Sequence, residues 1–333
     1  MKIISFFNNK GGVGKTTLVY HLAYMLAELG KKVIVVDLDP QSNLTSMFLS
    51  DERIEEIWDK KGEGTLLDSM RPLLEGTGDV VQPFLERIND NLSLLAGNLG
   101  LSGIEDQLSL EWVNCLQSNV SAQIRSFRVV TAFFRIAKMA GKYSDAEIIL
   151  FDVGPNLGAL NRCALISTDY LVIPMGADLF SLQGLTNLGP TLRNWRREWD
   201  IRISNSPSAI STSLPGGAML PIGYVVMQHG IKEGRPVKSY LKWANRIPEE
   251  YRHSITNENT KEFASVEDDK YCLALLKHYH SLMPMAMEAR KPIFLLKPAD
   301  GAIGAHVQAV SKSYDDFRTL AMRILSKIKM KQA

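Results

Sequence analysis

Cysteine is scarce in this chain of 333 residues: Cys115, Cys163 and Cys272 are the only three. They lie far apart with no Cys-x-x-Cys pair, which excludes a disulfide scaffold and a local cysteine metal or cluster motif. Net charge is nearly lacking too. The 38 Lys and Arg against 36 Asp and Glu leave a formal +2, so attraction to a polyanion has to come from local clusters. No stretch offers 18 uncharged apolar residues in a row, which excludes an obvious spanning helix. The opening Met1-Lys2-Ile3-Ile4-Ser5-Phe6-Phe7 is too short an apolar run for a signal peptide, and a cytoplasmic chain is expected. Repeats and low-complexity tracts are missing. At 45% hydrophobic and 22% charged residues the composition is that of a folded globular protein, long enough for one large α/β domain or two ordinary ones.

What is present is an alternation of strands and helices. Residues 2 to 7 form an Ile/Phe-rich run, followed directly by a glycine-rich loop. Leu18, Leu22, Met25, Leu26 and Leu29 recur at helical spacing, Gly30 stands where a helix ends, and Val33 to Val36 form the next apolar run. Further runs at 92–95, 148–151, 170–173 and 222–227 complete the pattern of a mostly parallel twisted sheet with helices on both faces, since strands covered on both sides read as continuous apolar runs. Residues 98–145 hold more helical material than one crossover needs, 204–220 read as an exposed loop, and 229–287 are polar, charged and aromatic. The expectation is a single domain over 1–333 with insertions at about 98–145 and 229–287, the second of which is open to being a small lobe.

The loop itself reads Asn8-Asn9-Lys10-Gly11-Gly12-Val13-Gly14-Lys15-Thr16-Thr17. Small residues between a strand and a helix leave backbone N–H groups free to surround phosphate oxygens, and the helix N-terminus adds partial positive charge. Lys15 then meets the β and γ phosphates and the Thr16 hydroxyl ligates magnesium. The usual pattern has a glycine where Asn9 stands, and an extra lysine, Lys10, precedes the glycines.

This variant loop resembles that of the deviant Walker A P-loop ATPases, the ParA/MinD family. Val36-Asp37-Leu38-Asp39-Pro40-Gln41 is similar to the family's second motif, and Phe151-Asp152-Val153-Gly154-Pro155 to its Walker B strand and switch. Leu171 to Pro174, Phe180 to Leu185 and Glu288 to Ile293 match further stretches of ParA proteins. The resemblance implies an ATPase that takes ATP and Mg2+ and works as a homodimer with two nucleotides between protomers. It implies that Gly11, Gly12, Val13, Gly14, Lys15, Thr16 and Thr17 hold the nucleotide, with Thr17 supporting the α phosphate. Lys10 reaches the partner's phosphates, where an extra cation suits the charge that builds on a transferring phosphoryl group. Asp39 orients or activates the attacking water, and Asp37 and Asp152 hold the magnesium hydration shell. For the adenine, Gln228 stands where relatives often have Asn, and Pro284 where they have a proline packed on the base.

ParA proteins bind DNA without sequence preference and position a plasmid, chromosome or other cargo, whereas MinD proteins bind membrane. With the phosphate loop at residue 10, the N-terminal helix-turn-helix domain of larger ParA proteins is not expected. The window 189–246 carries Arg193, Arg196, Arg197, Arg202, Lys232, Arg235, Lys238, Lys242 and Arg246 with Trp195, Trp199 and Trp243 interleaved, and Arg323 and Lys327 lie in a second basic cluster. That excess suits phosphate neutralisation on nonspecific DNA, although a solvated helix face with tryptophans turned inward has the same sequence. The terminal pattern Phe317, Leu320, Ile324, Leu325, Ile328 fits a helix docked on the sheet or, less well, a MinD-like amphipathic membrane helix. The combined expectation is a cytoplasmic, nucleoid-associated partition ATPase, reset by an adaptor protein that stimulates hydrolysis.

Overall fold

The computed structural model describes residues 1–59, 64–229, 231–232, 235–236, 238–258, 265–279 and 281–329. Eight strands form a mostly parallel sheet accompanied by helices. They are β1 (Lys2–Phe6), β2 (Val33–Leu38), β3 (Glu86–Arg87), β4 (Leu92–Leu95), β5 (Ile148–Val153), β6 (Tyr170–Gly176), β7 (Leu220–His229) and a last strand, Cys272–Lys277. The chain divides into two compact units: Met1–Ser5, Lys31–Leu171 and Thr191–Leu220 in the first, and Phe6–Gly30, Val172–Pro190 and Pro221–Ala333 in the second.

In the first unit β2 pairs in parallel with β5 on one side and β4 on the other, and β3 closes the edge antiparallel to β4. All residues of β2 and β5 are buried, which is why both read as continuous apolar runs up to Asp37 and Asp152. The helices here are α2 (Asn43–Phe48), α3 (Asp51–Asp59), α4 (Leu66–Leu74), α5 (Glu105–Asn114), α6 (Val120–Val130), α7 (Ala132–Ser144) and α8 (Ala159–Ile166). The extra helical material of 98–145 contributes to the core: Leu108, Trp112, Phe127, Phe133 and Ile136 are buried, each stabilising by about 1.5–3 kcal/mol. Residues 191–204, the later part of α9 (Leu179–Ser204), bring Trp199 to stack on Trp112 at 5.7 Å between ring centroids and to meet Phe127 edge-on.

In the second unit α1 (Lys15–Glu28) follows the glycine loop and ends at Gly30, whose φ of 76° is the left-handed turn expected after a helix. The helix Ala305–Lys327 packs against α1 and the last strand. Its Phe317, Leu320, Ile324 and Leu325 are buried, as is Ile328, and Arg323 donates to the carbonyls of Cys272 and Leu273. The last strand runs parallel to β7. A buried ion pair joins Arg252 to Asp269, and Tyr224 Oη donates to the same carboxylate at 2.7 Å, so the charge is satisfied by several partners. All three cysteines are buried, and burial pushes the Cys163 and Cys272 thiols up to about 12.

Candidate functional site

The glycine loop belongs to the second unit. Phe7 N–H donates to Val172 O at 3.1 Å and Asn8 Nδ2 to Pro174 O at 2.6 Å, which fixes the loop's entry against β6. Asn8 Oδ1 then accepts from Lys10 N–H. Gly12 and Gly14 have φ of 73° and 83°, a region that side-chain-bearing residues adopt at a cost. A side chain at Gly14 would also press on Met227, whose Cε lies 3.1 Å from the position of an added Cβ. Lys15, the first residue of α1, is buried.

Lys10 Nζ forms an ion pair with Asp178 Oδ2 at 2.7 Å and lies 5.9 Å from the Phe180 ring centroid. Asp178 also accepts from Ser181 N–H and Oγ. Partial burial works against ionisation here, yet the hydrogen bonds from Lys10 and Ser181 hold the carboxyl below its ordinary value.

A cavity of about 100 Å3 is lined by Gly14, Thr17, His21, Met227, Met283 and Phe317, among others. His21 Nδ1 donates to Thr17 O at 2.7 Å, and Nε2 accepts from Ile293 N–H at 3.1 Å, which assigns the neutral Nδ1–H tautomer. Complete burial lowers its pKa to about 4. Pro284 is exposed, whereas its neighbour Met283 lines the cavity. The side chain of Gln228 lies outside the described residues, as do those of Lys232, Arg235 and Lys238.

The acidic motifs belong to the first unit. Asp37 near the end of β2 is in register with Asp152 of β5, and both are completely buried. Asp37 Oδ2 accepts from Thr45 N–H at 2.8 Å and from Thr45 Oγ1 at 2.7 Å. Burial and the adjacent Asp152 push its carboxyl up to about 7 against the pull of those two bonds. Two buried carboxylates side by side form an all-oxygen donor pair that fits a hard cation retaining its waters. Asp39 is buried next to Gly154, where an added Cβ would lie 3.5 Å from Asp39 Oδ1. The loop after β5 is tied down by Asn161 Nδ2, which donates to Gly154 O and Asn156 O. Glu105 caps α8 by accepting from the N–H groups of Ala159 and Leu160.

The basic residues are unequal. Arg196 donates to Ala218 O and Met219 O, and Arg202 is buried with Nε on Trp112 O. Arg193 and Arg197 are exposed. Trp195 and Trp199 are buried, so the inward-turned reading of these tryptophans holds. In the second unit Lys242 and Arg246 are exposed and lie over Trp243, and Lys327 lies over Tyr271. Asp178, Thr45, His21 and Asn161 escaped the sequence reading. A polar residue just past a strand end was the only local signal for Asp178.

A larger cavity of about 450 Å3 in the first unit, between Asp68, Phe84 and Tyr143, includes none of the motif residues. Among the described residues no group of three or more His, Cys, Asp or Glu could hold a metal ion, and no helix is long and apolar enough to cross a membrane.

The sequence pattern of the AAA domain matches residues 1–204. The sporulation initiation inhibitor protein Soj of Bacillus subtilis is 30% identical over 194 residues, 58% of this chain and 65% of that protein. The chain thus spans less than two thirds of the length of the curated relatives it matches most strongly. Protein DIP2308 from Corynebacterium diphtheriae superposes with a TM-score of 0.74 at 25% identity over 98% of this chain and 99% of the other. A variant of Cyanothece McdA in complex with ATP has a TM-score of 0.65 at 14% identity over 100% and 98%, a likeness of fold.

Proposed function

Because the chain belongs to the AAA domain family, within the ParA/MinD group of P-loop ATPases, we propose that it is an ATP-switched homodimer. In this reading it binds duplex DNA without sequence preference, associates with the nucleoid, and positions a plasmid, chromosome or other cargo. An adaptor protein resets it by stimulating slow ATP hydrolysis. Both units serve one P-loop ATPase domain, and residues 98–145 and 229–287 carry partner specificity.

The observation that carries this reading is the loop from Lys10 to Gly14, with two left-handed glycines leading into a helix that begins at the buried Lys15. Such a loop aims backbone N–H groups at an anion. Lys15 and these N–H groups hold the β and γ phosphates, and Thr17 supports the α phosphate. The cavity beside Gly14 and Thr17 suits the base: Met283 lines it, and Gln228 and Pro284 are candidate contacts at its margin. The Thr16 hydroxyl would ligate magnesium, and Asp37 and Asp152 would hold its hydration shell. Magnesium, when bound, neutralises charge on the phosphate oxygens. Asp39 orients the attacking water, and Lys10 leaves Asp178 to reach the phosphates of the partner protomer, which makes hydrolysis depend on dimerisation.

The buried apolar face of the helix Ala305–Lys327 favours DNA over a membrane as the surface bound, because that face is already occupied. The test is binding to nonspecific duplex DNA and to anionic liposomes, each with ATP, ADP or no nucleotide, across a salt series. ATP-dependent DNA binding that falls steeply with salt is expected. ATP-dependent liposome binding without DNA affinity would replace this reading with a MinD-like one.

A further inference from the structure

The surroundings of Asp37 hold it by one oxygen. Thr45 gives Oδ2 two hydrogen bonds, at 2.7 and 2.8 Å, while Oδ1 has a single long one from Asp39 N–H at 3.3 Å. Thr45 is itself fixed, because Gly97 N–H donates to its Oγ1 at 2.9 Å. Its hydroxyl hydrogen is therefore directed to Asp37 and its lone pair to Gly97. The carbonyl of Gly97 in turn accepts from Trp58 Nε1 at 3.4 Å, extending the chain of bonds to a half-exposed side chain on α3.

Gly97 is a position without room for a side chain. An added Cβ would lie 3.0 Å from Asp37 Cγ, 3.1 Å from Asp37 O and 2.9 Å from Ser42 Oγ. A side chain at this position would thus press directly on Asp37. Neither Thr45 nor Gly97 belongs to a phosphate-loop or acidic motif, and they stand 52 residues apart in the chain.

We infer that Thr45 and Gly97 are positioning residues, which lock Oδ2 of Asp37 and so decide that Oδ1 is the oxygen presented to the magnesium water shell. This rests on the phosphate-and-magnesium reading above. Saturating one carboxylate oxygen with a hydroxyl and an amide fixes the rotation of the carboxyl group, and a ligand group fixed in advance binds without first being ordered. The competing role is purely structural: Asp37 would cap the short helix α2, and Thr45 would only hold that helix in place.

Magnesium titration of fluorescent ATP-analogue binding separates the two, with affinity in EDTA as internal reference and the urea midpoint as a check of folding. Thr45→Val should raise the half-saturating magnesium concentration by about ten- to a hundredfold, the effect usual for losing a group that orients a metal ligand. Its EDTA affinity should stay unchanged. Thr45→Ser, which keeps the hydroxyl, should return to within about twofold of the parent. Gly97→Ala should shift the titration in the same direction as Thr45→Val, and carries the test if the valine variant does not fold. A parental magnesium requirement in folded Thr45→Val, or a serine variant as impaired as the valine one, overturns the inference while leaving the nucleotide reading intact. A parent protein that binds the analogue with no magnesium dependence overturns the inference together with the magnesium reading, and one that does not bind the analogue at all overturns the nucleotide reading.

Discussion

Lys10 Nζ sits 2.7 Å from Asp178 Oδ2, an ion pair within the second unit between residues 168 positions apart. Both side chains are about one third exposed, at 33% and 38%, so the pair is worth only about 0.2–1 kcal/mol. A lysine held this lightly is kept in one place without being trapped there. For Asp178→Asn we expect a protein of nearly parental stability whose ATP-dependent dimer forms at a severalfold lower concentration, because the competing carboxylate is gone. Sedimentation velocity over a concentration series with ATP measures this, and a weaker dimer would show that Asp178 instead helps Lys10 in the assembled state.

The two loop lysines should fail differently. Lys15→Ala removes the cation at the start of α1 and should abolish nucleotide binding and dimerisation together. Lys10→Ala should leave ATP binding by the monomer within a fewfold of parental, while partner-dependent turnover falls on the order of a hundredfold or more, as when a cation facing the transferring phosphoryl group is lost. Equilibrium binding of a fluorescent ATP analogue, read beside steady-state phosphate release, distinguishes them.

Asp39→Ala should slow hydrolysis by about 10²- to 10⁴-fold, the range for losing a group that handles the attacking water, without loss of ATP binding. The expected product is a long-lived ATP dimer, visible by size-exclusion chromatography with light scattering. A variant that stays monomeric with ATP would remove Asp39 from this role.

Stability should fall on acidification because of His21. Burial lowers its folded-state pKa from 6.5 to about 4, so between those values the unfolded chain binds a proton that the folded one refuses. The contribution is fully present above pH 6.5 and is lost as pH falls toward 4, at about 1.4 kcal/mol per pKa unit. Urea midpoints at pH 7, 6, 5 and 4.5 should drop more steeply for the parent than for His21→Gln, whose starting midpoint is lower. Equal slopes would mean that His21 is protonated in the fold.

Basic residues should sort by exposure. Arg197→Ala and Lys242→Ala each remove an exposed cation and should lower the slope of log affinity for duplex DNA against log salt by about one. Arg196→Ala should act mainly on stability, since both of its bonds go to the carbonyls of Ala218 and Met219. Fluorescence anisotropy on a labelled duplex and a thermal melt read the two effects separately.

The glycine loop, the strand and helix around it, and the two aspartate motifs were legible from residue order, because their physics is local. A phosphate needs contiguous backbone N–H groups, left-handed φ selects glycine at Gly12 and Gly14, and buried parallel strands select apolar runs such as Val33 to Val36 in β2 and Ile148 to Phe151 in β5. The family followed from those same residues. Tertiary structure alone decided which partner each charge found and which face each amphipathic segment buried. Asp178 meets Lys10, and Gly97 meets Thr45, through chain excursions of 168 and 52 residues that no local pattern encodes. Trp199 turned inward onto Trp112 and Phe127, and Phe317 stacked on His21, where the sequence left an outward face open. The reason is physical: backbone conformation is set within a few residues, whereas burial and ion pairing depend on the packing of elements distant in the chain.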